Sequence, residues 1–216
     1  DQGWTILLVS DHGLITNEDE ECSEMGDPFG VNGKVMNELG YHIMKYDENG
    51  KMLKETDWSK TTAVAQRGNY IYINLKGREK WGIVDPKDKY DLEDKIIDDL
   101  YSYRDENGER IIALALRNKD AVLLGLGGDR CGDIIYWNVE HKGRVHGDTL
   151  PASEGYADTS VSPIFIAAGQ GIKENYFTDR YIHSVDVAPT VAILGGVRFP
   201  AQCEGAPAYQ IFSEEI

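Results

Sequence analysis

Two uninterrupted apolar runs constrain this chain more than any other feature: Thr5-Ile-Leu-Leu-Val9 near its start and Pro163-Ile-Phe-Ile-Ala-Ala168 near its end. Neither alternates with polar residues, so neither suits a strand with one wet face. Such runs read as strands covered on both faces, which is typical of a mainly parallel sheet. Ser10-Asp11-His12-Gly13 follows the first run directly. In open α/β sheets ligands and chemistry gather beyond the carboxyl ends of the strands. The start of the chain therefore predicts both a buried strand and a site at its end.

The remaining pattern interleaves helices and strands. A helix is predicted over 91–103, because Leu92, Ile96, Ile97, Leu100 and Tyr103 recur at helical spacing with acids between them. Shorter helices are predicted over 34–39, ended by Gly40, and after Asp186, with Pro189 in the first turn and Gly195-Gly196 as the stop. Asn49-Gly50 lies between two strand-like segments, 41–46 and 51–55, and signals a hairpin. Strands are predicted over 69–75, 111–116 and 133–139. The fold class is then α/β, a mainly parallel sheet with helices on both faces and an inserted β-hairpin region at 41–75. We expect one α/β domain over 1–216, with 14–62 as an insertion or cap bordering the site because it follows His12 directly.

With 216 residues, 41% of them hydrophobic, the chain can bury a substantial core. It holds 37 acids against 22 Lys and Arg, a formal net charge of −15. That balance argues against a nucleic-acid polymer or an anionic membrane as partner, since both bind through clustered cations. No apolar run reaches the length of a membrane span. Cys22, Cys131 and Cys203 are odd in number and far apart, so they read as free thiols of a reducing compartment, which favours a cytoplasmic location. Trp4 leads straight into a core strand, so the chain is expected to belong to something longer.

Asp11 and His12 are the leading metal-ligand candidates. Both residue types bind zinc, they sit at the end of a rigid strand, and Gly13 lets the backbone bend. The plain alternative is a simple turn. His146, in the polar, Gly-rich segment 140–160, is placed to complete a site across the sheet, the alternative being an exposed loop histidine. Asp179 and His183 have i, i+4 spacing, but no helix signal supports them. Lys76-Gly77-Arg78 is a basic island in an acidic chain, suited to a phosphate or to a solvated turn. Gly125-Leu-Gly127-Gly128 has the wrong spacing for a dinucleotide fingerprint.

The chain resembles the alkaline phosphatase superfamily, in its type I phosphodiesterase/nucleotide pyrophosphatase branch, and within it the predicted phosphohydrolase/phosphomutase group. Three stretches carry the resemblance. They are Leu7-Leu-Val-Ser-Asp-His-Gly13; Ile71-Tyr-Ile-Asn-Leu-Lys-Gly-Arg78 with Gly82-Ile-Val-Asp-Pro86; and Pro163-Ile-Phe-Ile-Ala-Ala-Gly-Gln-Gly-Ile-Lys173 leading to Val185-Asp-Val-Ala-Pro-Thr-Val-Ala-Ile-Leu-Gly195. The resemblance implies hydrolysis of phosphate mono- or diesters at two divalent ions, usually zinc and otherwise manganese. It places Asp11 and His12 at the metal beside the nucleophile and His146 at the other. Lys76 and Arg78 become candidate contacts to a small phosphate-ester substrate. The nucleophilic Thr or Ser, an early Asp and an Asp-x-x-x-His pair belong before the Ser-Asp-His-Gly strand in this family, where the chain has only Asp1 to Gly3. The resemblance thus covers a carboxyl-terminal portion, expected to be inactive without its amino-terminal half. A phosphomutase or phosphotransferase of the same superfamily, and an inactive binding module, are the alternatives.

Overall fold

The computed structural model describes residues 3–15, 31–66, 69–142, 158–160 and 162–213. The chain forms two units, one of Asp1–Gly13 with Ser160–Ile216, the other of Leu14–Thr159. It crosses between them within two short paired strands, β2 (Gly13–Ile15) and β9 (Asp158–Ser160).

The first unit holds both apolar runs. They become β1 (Thr5–Val9) and β10 (Phe165–Gly169), paired antiparallel with Leu7 opposite Ala167 and Leu8 opposite Ile166. A 3-10 turn at Ser184–Asp186 leads into helix α4 (Val187–Leu194), and Pro189 is buried in its first turn as the sequence implies. Asp186 does not cap through a bond to the helix backbone. Its carboxylate accepts from His183 N–H at 2.9 Å and from Ala206 N–H at 2.9 Å, tying the turn to the later chain. Ile172, Ala208, Ile211 and Phe212 form this unit's core, with Phe165, Ala167, Ile193 and Leu194 packed against it.

The second unit is built on a four-stranded sheet in the order β5-β6-β8-β7, from Ala63–Gln66, Tyr70–Ile73, Ile134–Asn138 and Ile112–Arg117. Helices α1 (Val31–Glu38) and α2 (Lys89–Ser102) supply Val35, Met36, Ile96 and Leu100 to one core with Ala63, Ala65, Ile71, Ile73, Ile134 and Tyr136. Those strand residues share one face by alternation. The hairpin forms as expected: β3 (Met44–Tyr46) and β4 (Met52–Thr56) flank a turn in which Gly50 takes φ 77° and Asp47 accepts from the N–H groups of Asn49 and Lys51. A short helix, α3 (Asn118–Ala121), follows β7.

One expectation is corrected. Among the described residues β1–β10, β3–β4 and the strands of the four-stranded sheet pair antiparallel, and the isolated bridge of Leu75 with Val84 is parallel. Among the described residues these pairings do not make a mainly parallel sheet with helices on both faces. An apolar run reports that a strand is to be covered, but carries nothing about the direction of its neighbour. Val35, Met36 and Tyr41 share one core with β5 through β8.

Candidate functional site

Asp11 and His12 sit just beyond β1, and their side chains turn toward each other. His12 Nε2 lies 3.5 Å from Asp11 Oδ2. Two ligand atoms on one tetrahedral zinc, bonded at ~2.0–2.2 Å, stand roughly 3.3–3.5 Å apart. The imidazole is oriented by its other nitrogen, since His12 Nδ1 lies 2.9 Å from the Gly13 carbonyl oxygen. A carbonyl only accepts, so Nδ1 carries the proton and the lone pair of the neutral ring is on Nε2, facing the carboxylate. Donation of the second ring N–H to a backbone carbonyl is the usual outer support of a metal-binding histidine.

The carboxylate is prepared as well. Asp11 Oδ1 accepts from His12 N–H at 3.1 Å and from the Ser10 hydroxyl at 3.3 Å. Partial desolvation opposes its ionisation, but backbone N–H groups, the charge of His12 when its ring is protonated, and the Ser10 hydroxyl outweigh that and hold the carboxyl below its ordinary value. Its side chain is 81% exposed while that of His12 is 26% exposed, so the pair opens outward. The donor set therefore fits two ligands of a divalent ion. Among the described residues no group of three His, Cys, Asp or Glu converges on one point. His146, the third expected ligand, lies outside the described residues.

Gly13 fixes the local geometry through crowding. A Cβ there would stand 2.6 Å from Ser160 Oγ and 2.9 Å from the Ser162 carbonyl oxygen. Asp179 and His183 do not form a helical chelate. Both are exposed, and the segment between them is irregular.

The second unit gathers charge at a different place. Arg78 is held by Asp133, with Nη1 to Oδ1 and Nη2 to Oδ2 each at 2.7 Å. Its Nη2 also donates to the Ile73 carbonyl at 2.6 Å and its Nε to Glu79 at 2.8 Å. Of the five donors of a guanidinium, one is left for anything else. Lys76, two residues earlier, is exposed.

Asp133 also receives Lys89 Nζ at 3.2 Å, and Lys89 bonds Glu93 in turn. Glu93 is 1% exposed, and Arg117 Nε lies 3.5 Å from its Oε2. Burial drives the Glu93 carboxyl above its ordinary value, against the pull of Lys89. Burial also works against Asp133, but Arg78 and the Ile73 N–H overcome it and hold that carboxyl low. Arg78, Lys89, Arg117 and Lys119 line a cleft of about 290 Å³ with Glu93, Asp129 and Asp133. The sequence reading missed this network. One signal was present: Glu93 falls on the same helical face as Ile96 and Leu100, where a lone acid needs buried partners.

The other face of this sheet carries a groove of about 420 Å³ that includes Trp58, Tyr72, Asn74 and Trp81. The two indoles stack with centroids 5.7 Å apart. The Gly125-to-Gly128 segment is structural. Asn118 accepts from Gly128 N–H and donates to the carbonyls of Gly128 and Gly132, and a Cβ at Gly127 would meet the Asn118 carbonyl oxygen at 2.4 Å. Cys131 and Cys203 are free thiols as expected, and Cys22 lies outside the described residues. No described helix is long and apolar enough to cross a membrane.

Comparison with known proteins gives the fold. No protein-family model matches the chain, and no curated protein matches it. Among solved structures it is similar to a four-substitution variant of the alkaline phosphatase PafA, with a TM-score of 0.57 and 17% sequence identity. The match covers 97% of this chain and 38% of that one, so the chain spans well under half the length of its structural neighbour. The fold is alkaline phosphatase-like.

Proposed function

We propose that this chain is part of a metal-dependent phosphohydrolase of the type I phosphodiesterase/nucleotide pyrophosphatase kind, acting on small phosphate mono- or diesters. The observation that carries the reading is the Asp11–His12 pair: two convergent donors 3.5 Å apart, with the imidazole proton fixed on the far nitrogen by Gly13. The alkaline phosphatase-like fold supports it.

In this reading Asp11 and His12 hold one divalent ion, zinc or manganese, and His146 helps to hold a second. Such ions supply the positive charge that a phosphoryl group needs in a chain of net charge −15. The chain's own residues do the rest. The carboxylate stays ionised because N–H and O–H donors face it. Nδ1 keeps its proton on the Gly13 carbonyl, so Nε2 remains a donor of electrons. Lys76 is the exposed cation available to a phosphate oxygen, while Arg78 has one N–H to offer beyond its bonds to Asp133, Ile73 and Glu79.

The test is made in the full-length protein with zinc and an aryl phosphodiester. Asp11→Asn and His146→Ala should each lower turnover by about 100-fold or more, beyond the 10- to 100-fold typical of outer-sphere partners. Unchanged turnover in both overturns the ligand assignment.

A further inference from the structure

Val64 and Tyr72 are cross-strand partners in β5 and β6, and alternation turns them away from the core that holds Ala63, Ala65 and Ile71. They line the groove of about 420 Å³ with Trp58, Asn74, Glu79 and Trp81, all residues of the second unit. That volume lies in the range of sites that hold a small molecule. Trp81 is 52% exposed although it stacks on Trp58. Lys80, itself exposed, lays its ammonium 4.5 Å from the Trp81 ring centre. The indole face is therefore open to a positively polarised group, and a flexible surface side chain now occupies it. Asn74 is 3% exposed, and its amide nitrogen is committed to the carbonyls of Thr61, Trp81 and Trp58. Carbonyls only accept, so the amide cannot turn over. Its Oδ1 is left buried without a hydrogen-bond partner among the described residues. A donor that reaches such an acceptor, directly or through one water, relieves a standing cost.

We infer that this groove binds a neutral carbohydrate, a pyranose whose C–H face lies on the Trp81 indole in place of Lys80 while its hydroxyls donate toward Asn74 and Glu79. Three observations select that ligand. It must bring donors, because Asn74 Oδ1 accepts and the Glu79 carboxylate has acceptor sites beyond its bond from Arg78. A Pro-rich peptide brings carbonyls without N–H groups and meets neither. The ligand must stack from one side, because Trp58 and Trp81 lie with centroids 5.7 Å apart at 18°. A flat base held between two rings needs them about 7 Å apart, twice the contact distance. It must also be uncharged, since Lys80 repels a cation and Glu79, in a chain of net charge −15, repels an anion. A pyranose meets all three: its C–H face is positively polarised, its rim is hydroxyl, and it is neutral. The inference concerns the second unit alone and does not rest on the phosphohydrolase reading.

The full-length protein, stripped of metal with EDTA, is titrated with the methyl glycosides of glucose, galactose and mannose and followed by saturation-transfer NMR. One of them should bind with a Kd of about 1 mM, the strength that ordinary ligand efficiency gives a single sugar. Saturation should reach the C–H protons of one ring face, and those protons should shift upfield under the indole ring current. Trp81→Ala should weaken binding at least about tenfold with circular dichroism unchanged, and Trp81→Phe should weaken it less. The ring-face pattern is read on the wild-type protein, so it decides even where Trp81→Ala fails to fold. No saturable binding of any of the three glycosides overturns the proposal. So does saturation spread evenly over both ring faces, affinity unchanged in a folded Trp81→Ala protein, or adenosine that binds more tightly and displaces the glycoside. Glycoside binding by a protein without phosphodiesterase activity refutes the phosphohydrolase reading alone, and activity without glycoside binding refutes this site alone.

Discussion

Arg78 and Asp133 meet as a two-bond fork, Nη1 to Oδ1 and Nη2 to Oδ2, both at 2.7 Å, with the carboxylate 5% exposed and the guanidinium 40% exposed. The pair links the loop after β6 to the start of β8, and Asp133 Oδ2 also accepts from the Ile73 N–H at 2.7 Å. Asp133→Asn keeps the shape and removes the charge that Arg78 and Lys89 share. The variant should lose about 2–3 kcal/mol of stability, the scale of losing charge-assisted hydrogen bonds in a mostly buried pair. Urea unfolding followed by far-UV circular dichroism measures it. A change under about 0.5 kcal/mol, typical of surface substitutions, would show that the fork is ornamental.

The same carboxylate gives a pH dependence with a definite sign. Its folded pKa lies below its ordinary value of 3.8, so the unfolded chain binds the proton more tightly. The stabilisation is therefore complete above about pH 4–5 and is lost as pH falls through the folded value. Glu93 works in the opposite direction, because its folded pKa is raised above 4.5. Its contribution is present at acid pH and is lost as pH rises through the folded value. Relative to wild type, Glu93→Gln should thus look best at neutral pH and worst near pH 4, whereas Asp133→Asn should show its deficit at neutral pH and lose it in acid. Unfolding midpoints at a series of pH values separate the two.

Gly13→Ala probes the Asp11–His12 pair from behind. The added methyl would press on Ser160 Oγ and the Ser162 carbonyl, so the backbone that carries the His12 acceptor must shift. The expected cost is about 1–3 kcal/mol, as for other overpacked positions. Zinc affinity, measured against a chromophoric chelator, should fall with it. Affinity equal to wild type would mean that the Nδ1 bond does not orient the ring.

Asn74 is the staple of the tryptophan groove. Its amide donates to the carbonyls of Thr61 at 2.9 Å, Trp81 at 3.0 Å and Trp58 at 3.3 Å. Asn74→Ala removes that donor from a buried site, for a loss of about 2–3 kcal/mol. The Trp58–Trp81 stack should loosen and tryptophan emission shift to the red. Unshifted emission would show that the indoles hold themselves together.

Much of the local structure was legible. The 3.6-residue spacing of Leu92, Ile96 and Leu100 marked α2, and Asn49-Gly50 marked the hairpin. The two apolar runs marked β1 and β10. All are effects of a residue on its near neighbours. Asp11 and His12 were legible as a pair because they are adjacent and follow a strand. The direction of the strands was not, because Leu7 opposite Ala167 joins positions 160 residues apart. Asp133 was hidden for the same reason: its partners Arg78, Lys89 and Ile73 all lie more than 40 residues earlier.

The sequence by itself determined which segments are apolar, where the chain turns, and that it carries a net charge of −15. Only the tertiary structure decided that Arg78 is largely occupied by Asp133, that Glu93 is buried among cations, and that β1 runs antiparallel to β10. The physical reason is that periodicity is set by bonds along the backbone. Charge pairing and the covering of a face are set by distances through space, which exist only once the chain has folded.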